Sequence, residues 1–126
     1  MLPTEKNGIE AGELLLCLNE SIEGLSLYNV KSAVNLNIKE SISPKSANLI
    51  YDLFEAVIEE SLENLSCILL FAEKSDNKLI INISVSCDSD LTALSDCFKN
   101  LETECDEDGI RYITLSLKEG DNVGLD

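Results

Sequence analysis

The chain has 126 residues, of which 24 are Asp or Glu and 9 are Lys or Arg, so its formal net charge is −15. A hydrophobic content of 44% is too high for a disordered acidic tail, and the apolar runs at residues 14–18 and 67–72 are far shorter than the roughly 20 residues of a membrane-spanning helix. A single arginine at this net charge excludes a nucleic-acid-binding surface, and the length predicts one domain.

The first half of the chain predicts two helices with a strand between them. Apolar residues at helical spacing predict a helix over residues 9–27, after a polar start in which we see no secretion signal. Residues 32–38 alternate and predict a strand. Ser43 followed by Pro44 is typical of a helix start, so a second helix is expected over residues 44–65.

The middle of the chain predicts a β-hairpin. Residues 67–72 are short and apolar, and residues 79–85 alternate between apolar and polar side chains. The sequence Lys-Ser-Asp-Asn between them is a turn signal. A rival interpretation continues the second helix to residue 73, but the length typical of helices favours the strand.

The last part of the chain predicts a helix and a strand. Asp90 is a candidate N-cap for a third helix over residues 91–104. A turn is expected at residues 106–109, and the alternation over residues 110–117 predicts the last strand. The acidic turn is also a weaker candidate for binding calcium.

The order α-β-α-β-β-α-β predicts an α/β (α+β) two-layer sandwich, in which a mixed sheet of about four strands is covered on one face by three helices. The domain is expected to span residues 9–118, with flexible ends at 1–8 and 119–126. Two architectures share this order, a ferredoxin-like split βαβ and the ATP-binding fold of histidine kinases. The residues expected to be largely buried are Leu53, Val57, Ile58, Ile81, Ile83, Ile113 and Leu115.

The cysteines and the missing histidine restrict the chemistry. There are five cysteines and no C-x-x-C pair, which indicates reduced, mostly buried thiols and predicts a cytoplasmic protein. The chain has no histidine, so it holds no Ser-His or Cys-His pair and no phosphoacceptor histidine.

The second helix resembles the N-box helix of histidine-kinase-type ATPases, in which Glu and Asn stand four residues apart, E-x-x-x-N, on one helix face. Two registers fit. Glu55 with Glu59 leaves room for the following strand but has Glu in place of Asn, whereas Glu60 with Asn64 matches the letters. We favour the first register, in which the resemblance implies that Glu55 prepares the attacking water and Glu59 contacts Mg²⁺. The competing explanation is a solvated acidic helix face.

The resemblance covers nearly the whole chain, but the sequence departs from the family in its glycines. The family has Asp-x-Gly at the end of the strand that follows the hairpin turn, where the Asp binds adenine. Here Asp88 stands in that place without the glycine, and no glycine occurs between Asp88 and Gly109. A loop that surrounds phosphate needs glycines and free backbone N–H groups, so a degenerate nucleotide site is expected.

The resemblance implies a degenerate domain of a sensor histidine kinase-like protein in two-component signalling, which acts mainly through contacts with other domains of a longer signalling protein. No cofactor is expected, unless the nucleotide site is retained and binds Mg-ATP. The domain itself is expected in the cytoplasm without membrane insertion, although its parent could be membrane-anchored. The alternative is a ferredoxin-like module for small-molecule sensing or oligomerisation.

Overall fold

The computed structural model describes residues 10–39, 41–88 and 90–118, which form two α-helices and five β-strands. The bounds are α1 Ala11–Leu25, β1 Lys31–Asn37, α2 Pro44–Ser61, β2 Cys67–Ser75, β3 Lys78–Ser86, β4 Leu101–Cys105 and β5 Ile110–Lys118. Short 3₁₀ helices lie at Ser26–Tyr28, Leu62–Asn64 and Thr92–Asp96. The expected flexible ends at 1–8 and 119–126 lie outside the described residues.

The five strands form one mixed sheet in the order β1-β2-β3-β5-β4. β1 and β2 are parallel, as expected for strands that are joined through a helix, and the other neighbours are antiparallel. Because β1 is hydrogen-bonded directly to β2, no strand splits this βαβ unit, and the ferredoxin-like alternative is wrong.

One face of the sheet carries the hydrophobic core beneath the helices. Alternate residues of β2, β3 and β5 are buried, and they pack with the apolar stripes of α1 and α2 in one cluster. The seven residues that the sequence predicts as buried are at most 9% exposed. The expected two-layer α+β sandwich is therefore confirmed, with five strands in place of about four.

Helix α2 begins and ends for reasons of local chemistry. The Ser43 hydroxyl accepts a hydrogen bond from the Ser46 N–H at 3.1 Å, and Pro44 occupies the first helical position, as predicted. The α-helix ends at Ser61, and β2 begins at Cys67 after one 3₁₀ turn. The rival interpretation, a helix that continues to residue 73, is wrong.

The predicted third helix over residues 91–104 is wrong. Only Thr92–Asp96 is helical there, as a 3₁₀ helix, and Leu101–Cys105 forms strand β4. The pairing of β4 with β5 explains the difference, because the antiparallel hairpin supplies hydrogen bonds to both strands. Two α-helices therefore lie among the described residues where three were expected.

Candidate functional site

The chain directions bring the predicted site residues to one end of the sheet, which we call the Ser86 end. Cys67 at the start of β2 pairs with Ser86 at the end of β3, and Ser86 pairs with Ile110 at the start of β5. Since β1 and β2 are parallel, the α2 crossover runs back towards the start of β2. The last turns of α2 and Asp88, two residues beyond β3, therefore lie at the same end.

Glu55 and Glu59 stand one turn apart on α2, as the favoured register requires. The Glu55 side chain is half-buried and accepts a hydrogen bond from the Ser21 hydroxyl of α1. Glu59 is exposed. The Glu55 carboxylate thus joins the two helices in this structure, and this contact spans 34 positions of the sequence.

Glu60 and Asn64, the residues of the second register, do not lie on one continuous α-helix. Glu60 belongs to the last turn of α2, and Asn64 ends the 3₁₀ helix that follows it. Between them, the buried Ser61 hydroxyl donates to the Val57 carbonyl at 2.6 Å. Both Glu60 and Asn64 are exposed.

The segment after β3 begins with a buried cysteine, Cys87, followed by the exposed Asp88. Asp90 accepts hydrogen bonds from the Thr92 N–H at 3.0 Å and from the Thr92 hydroxyl at 2.8 Å. These two bonds, and to a smaller extent the positive charge of Arg111, lower the pKa of Asp90. Asp90 therefore holds the turn before the 3₁₀ helix, but the N-cap position of that helix is Leu91, so the prediction of Asp90 as N-cap is wrong.

Solved structures match this fold across most of its length. The catalytic domain of histidine kinase ThkA, in a nucleotide-free form, aligns with a TM-score of 0.64 and 14% identity over 88% of this chain and 94% of that chain. Histidine kinase AdeS of Acinetobacter baumannii aligns with a TM-score of 0.63 and 11% identity, over 95% and 70% of the two chains. The chain has the histidine kinase catalytic-domain fold.

The same fold is found in a third kinase and in an assembly. The histidine kinase domain of the Escherichia coli osmosensor EnvZ aligns with a TM-score of 0.52 and 15% identity over 96% of this chain and 92% of that chain. ThkA in complex with its response regulator TrrA aligns with a TM-score of 0.61 and 13% identity over 89% and 41%. No protein-family model matches the sequence, and no curated protein matches it either.

The connection from β3 to β4 comprises residues 87–100. The described residues of this connection contain one 3₁₀ helix, in which Leu94 is buried, and Leu91 just before it is buried as well. The sequence from 87 to 100 contains no glycine. Among the described residues, this connection holds no α-helix.

Arg111, which no sequence motif singles out, lies on the inner face of β5 at the Ser86 end. It shares this face with Ile113 and Leu115, and it pairs with Val85 of β3 and Cys105 of β4. The signal was present, because Arg111 occupies an inward position in an alternating strand.

The acidic residues of the β4–β5 turn form hydrogen bonds that stabilise the hairpin. Asp106 accepts hydrogen bonds from the N–H groups of Asp108 and Ile110 at 2.9 and 3.0 Å and from the Tyr112 hydroxyl at 2.9 Å. The Ile110 N–H is the largest cause of a lowered pKa at Asp106. Among the described residues, no cluster of three or more possible ligands is arranged for a metal ion, so the weaker calcium interpretation finds no support.

A wider cleft of about 340 Å³ lies at the opposite end of the sheet, and its lining residues are Asn37, Lys39 and Glu73 to Asp76. It contains none of the predicted site residues. In the described part of the chain, no helix is long and apolar enough to cross a bilayer. All five cysteines lie in the described ranges and are free thiols, but only Cys87 is buried, so the expectation of mostly buried thiols is wrong.

Proposed function

We propose that this chain is a degenerate ATP-binding-type domain of a sensor histidine kinase-like signalling protein and that it acts mainly through protein contacts. The observation that carries the proposal is the glycine-free connection after β3 in a histidine kinase catalytic fold. A phosphate-binding loop depends on glycines and on backbone N–H groups that face the ligand.

The residues at the Ser86 end fit Mg-ATP poorly. Glu55, which the resemblance assigns to catalysis, is hydrogen-bonded to Ser21. Glu59, which it assigns to magnesium, lies on an exposed helix face one turn from Glu55. Asp88, which the resemblance assigns to adenine, is exposed and lacks the glycine that allows close approach. The net charge of −15 also opposes the approach of a polyphosphate.

The similarity to a histidine kinase whose structure was determined in complex with a response regulator supports the proposal that this domain acts through protein contacts. ThkA was crystallised in complex with its response regulator, and this chain aligns with that kinase over 89% of its own length. By analogy, the present domain contacts other domains of a longer protein in two-component signalling. The free thiols favour a cytoplasmic location for the domain.

Isothermal titration of the whole chain with Mg-ATP tests the proposal. We expect no binding tighter than about 100 μM, which corresponds to roughly −5.5 kcal/mol. A thermal-shift titration provides a second readout, because a nucleotide that binds only the folded state must raise the melting temperature.

Tighter binding would contradict the proposal and favour a working nucleotide site. In that case, Glu55→Gln should abolish hydrolysis, and Glu59→Ala should weaken binding only when magnesium is present. Glu63→Ala, which removes another exposed carboxylate near the end of α2, is the matched control for the change in net charge.

A further inference from the structure

The sheet has a second face, which we call the outer face, opposite to the one that packs against α1 and α2. It consists of the strand residues that alternate with the buried ones, for example Leu69, Ile80 and Tyr112. Both α-helices of the described ranges pack into the core on the inner face, so neither covers the outer face. A partner can therefore reach these outward side chains directly.

The centre of the outer face is uncharged and carries exposed apolar side chains. One row of cross-strand neighbours runs from Leu69 over Ser84 to Tyr112. Leu69 is 46% exposed and Tyr112 is 39% exposed. The two adjacent rows on the same three strands are also uncharged, and they consist of Cys67, Ser86, Ile110, Phe71, Asn82 and Thr114. In a chain with a net charge of −15, an uncharged patch with exposed apolar residues indicates an interaction surface.

The two edges of the outer face differ in charge. Strand β1 forms one edge, and its exposed Lys31 lies beside Cys67 of β2 at the Ser86 end. Strand β4 forms the other edge, and its exposed Glu102 and Glu104 alternate with the buried Leu101. One edge is therefore basic near the Ser86 end, and the other is acidic there.

We propose that the outer face binds a second copy of this chain, related by a two-fold axis that is parallel to the strands and close to β3. This rotation places β2 over β5 of the partner, and β1 over β4 of the partner. Leu69 then packs against the partner's Tyr112, and Lys31 lies near the partner's Glu104. The two-fold axis repeats each contact, so the face is complementary to itself in both shape and charge. The proposal does not depend on whether the domain binds a nucleotide.

The size of the outer face predicts a weak dimer. The five strands, which are about 4.8 Å apart and mostly seven to nine residues long, offer roughly 600 Å² per copy. A total of about 1,200 Å² lies at the lower end of the range for specific interfaces. The net charge of −15 adds repulsion between the copies, which salt at 0.15 M screens beyond about 8 Å. We therefore expect a dissociation constant of about 10–500 μM.

Sedimentation velocity of the whole chain, at about 10 μM to about 1 mM in 0.15 M sodium chloride, tests the proposal. We expect monomer to convert to dimer as the concentration rises. Leu69→Gln should raise the dissociation constant at least about tenfold, because it removes an apolar contact from both halves of the interface. The matched control is Leu16→Gln, the same change at a leucine of α1 that is 68% exposed, and it should leave the constant within about twofold.

A charge swap tests how the two copies are arranged. Lys31→Glu places like charges opposite each other at both edges of the dimer, and Glu104→Lys does the same with the opposite sign. Each variant alone should therefore dimerise at least about threefold more weakly than the original chain. An equimolar mixture of the two should restore association, because a mixed dimer again has opposite charges at both edges. Restored association also shows that both variants fold.

Three results would overturn the proposal. A chain that stays monomeric up to about 1 mM would leave the outer face to a different protein. Equal dissociation constants for Leu69→Gln and the original chain would show that the copies meet at another surface, such as the edge of β1. A mixture of the charge variants that associates no better than each variant alone would exclude the proposed two-fold arrangement.

Discussion

Among single residues, the side chains on the inner face of β3 contribute most directly to stability. Ile83 is 1% exposed and lies in the central strand of the sheet. We expect Ile83→Ala to lower the free energy of unfolding by about 2–5 kcal/mol, because the truncation leaves a cavity in a closely packed core. A denaturant titration measures this loss.

The matched control is Ile80→Ala on the other face of the same strand. Ile80 is only half-buried, so its truncation should cost clearly less than that of Ile83. A loss below about 0.5 kcal/mol for Ile83→Ala would contradict the assignment of the two faces of the sheet.

Asp106 and Tyr112 make a pH-dependent contact at the β4–β5 turn. The hydrogen bond to Asp106 is the largest cause of a raised pKa at Tyr112. We expect Asp106→Asn to return the pKa of Tyr112 towards its ordinary value of 10.0, as measured by an NMR titration of the ring. Asp108→Asn, which removes only a nearby charge, should change this pKa less.

The pH dependence of stability has two opposite signs at this turn. Because the pKa of Asp106 is lowered in the folded state, its ionised carboxylate stabilises the fold above the ordinary pKa of 3.8. This stabilisation is lost as the pH falls through the pKa that Asp106 has in the folded state. Because the pKa of Tyr112 is raised, its contribution is present below pH 10.0 and is lost as the pH rises through the folded value. A pKa of Tyr112 that stays unchanged in Asp106→Asn would contradict the assignment for Tyr112, whereas the lowered pKa of Asp106 depends mainly on the Ile110 N–H.

At the candidate nucleotide site, the sequence predicts which carboxylates share a helix face but not which side chains they contact. The spacing of Glu55 and Glu59 on one helix follows from the sequence, because an α-helix has a fixed period. The hydrogen bond from Ser21 to Glu55 depends on how α1 packs against α2, and no local pattern contains that information. The inward position of Arg111 follows from its alternation with Ile113 and Leu115, whereas the burial of its Nε–H depends on packing that only the folded chain defines.

Among the elements, α2 depends on its N-terminal cap. We expect Ser43→Ala to lower the free energy of unfolding by about 1 kcal/mol, because the Ser46 N–H then loses the Ser43 hydroxyl as acceptor. Thermal or denaturant unfolding measures the change. Ser43→Asp keeps an acceptor at the cap and should retain stability, so an equal loss in both variants would exclude capping as the cause.

The sequence predicts the start of helix α2, which depends on neighbouring residues. It does not predict strand β4, which depends on pairing with β5. The Ser43–Pro44 start of α2 follows from capping chemistry within four residues. Leu94, Phe98 and Leu101 have helical spacing, which is why the sequence predicts a helix over the residues that include β4. Pairing with β5 overrides this pattern, and the turn that enables the pairing includes Gly109 at a φ of +84°, which favours glycine.

For the whole molecule, the net charge of −15 implies mutual repulsion between its surface carboxylates. We expect the melting temperature to rise when sodium chloride is increased from 0.1 M to 1 M. The Debye length falls from about 10 Å to about 3 Å over this range, which screens repulsion between exposed charges. Calorimetry measures the shift.

A control separates screening from other effects of salt. Sucrose stabilises proteins through its exclusion from their surfaces without screening charge, so it should not reproduce the rise at low concentration. A melting temperature that stays constant or falls between 0.1 M and 1 M salt would contradict net repulsion as a destabilising term.

The sequence predicts the architecture as a whole because segments with helical spacing of apolar residues are clearly separated from segments with strand alternation. The parallel pair β1–β2 and the hairpin β2–β3 follow from a strand, a helix and two further strands in sequence order. The count of helices differed because residues 91–104 carry a helical pattern that the sheet overrides.

The connection between β3 and β4 has a consequence for how the domain can evolve. Leu91 and Leu94 fix its first half to the core, whereas Ser95 to Cys97 and Lys99 to Asn100 are exposed. The entropy of closing a loop grows slowly, by only about 0.6 kcal/mol for each doubling of its length. A long segment can therefore be inserted or deleted after Asp96 with little effect on the stability of the sheet. The same five-stranded sheet can thus carry a segment that covers its Ser86 end, or lack one.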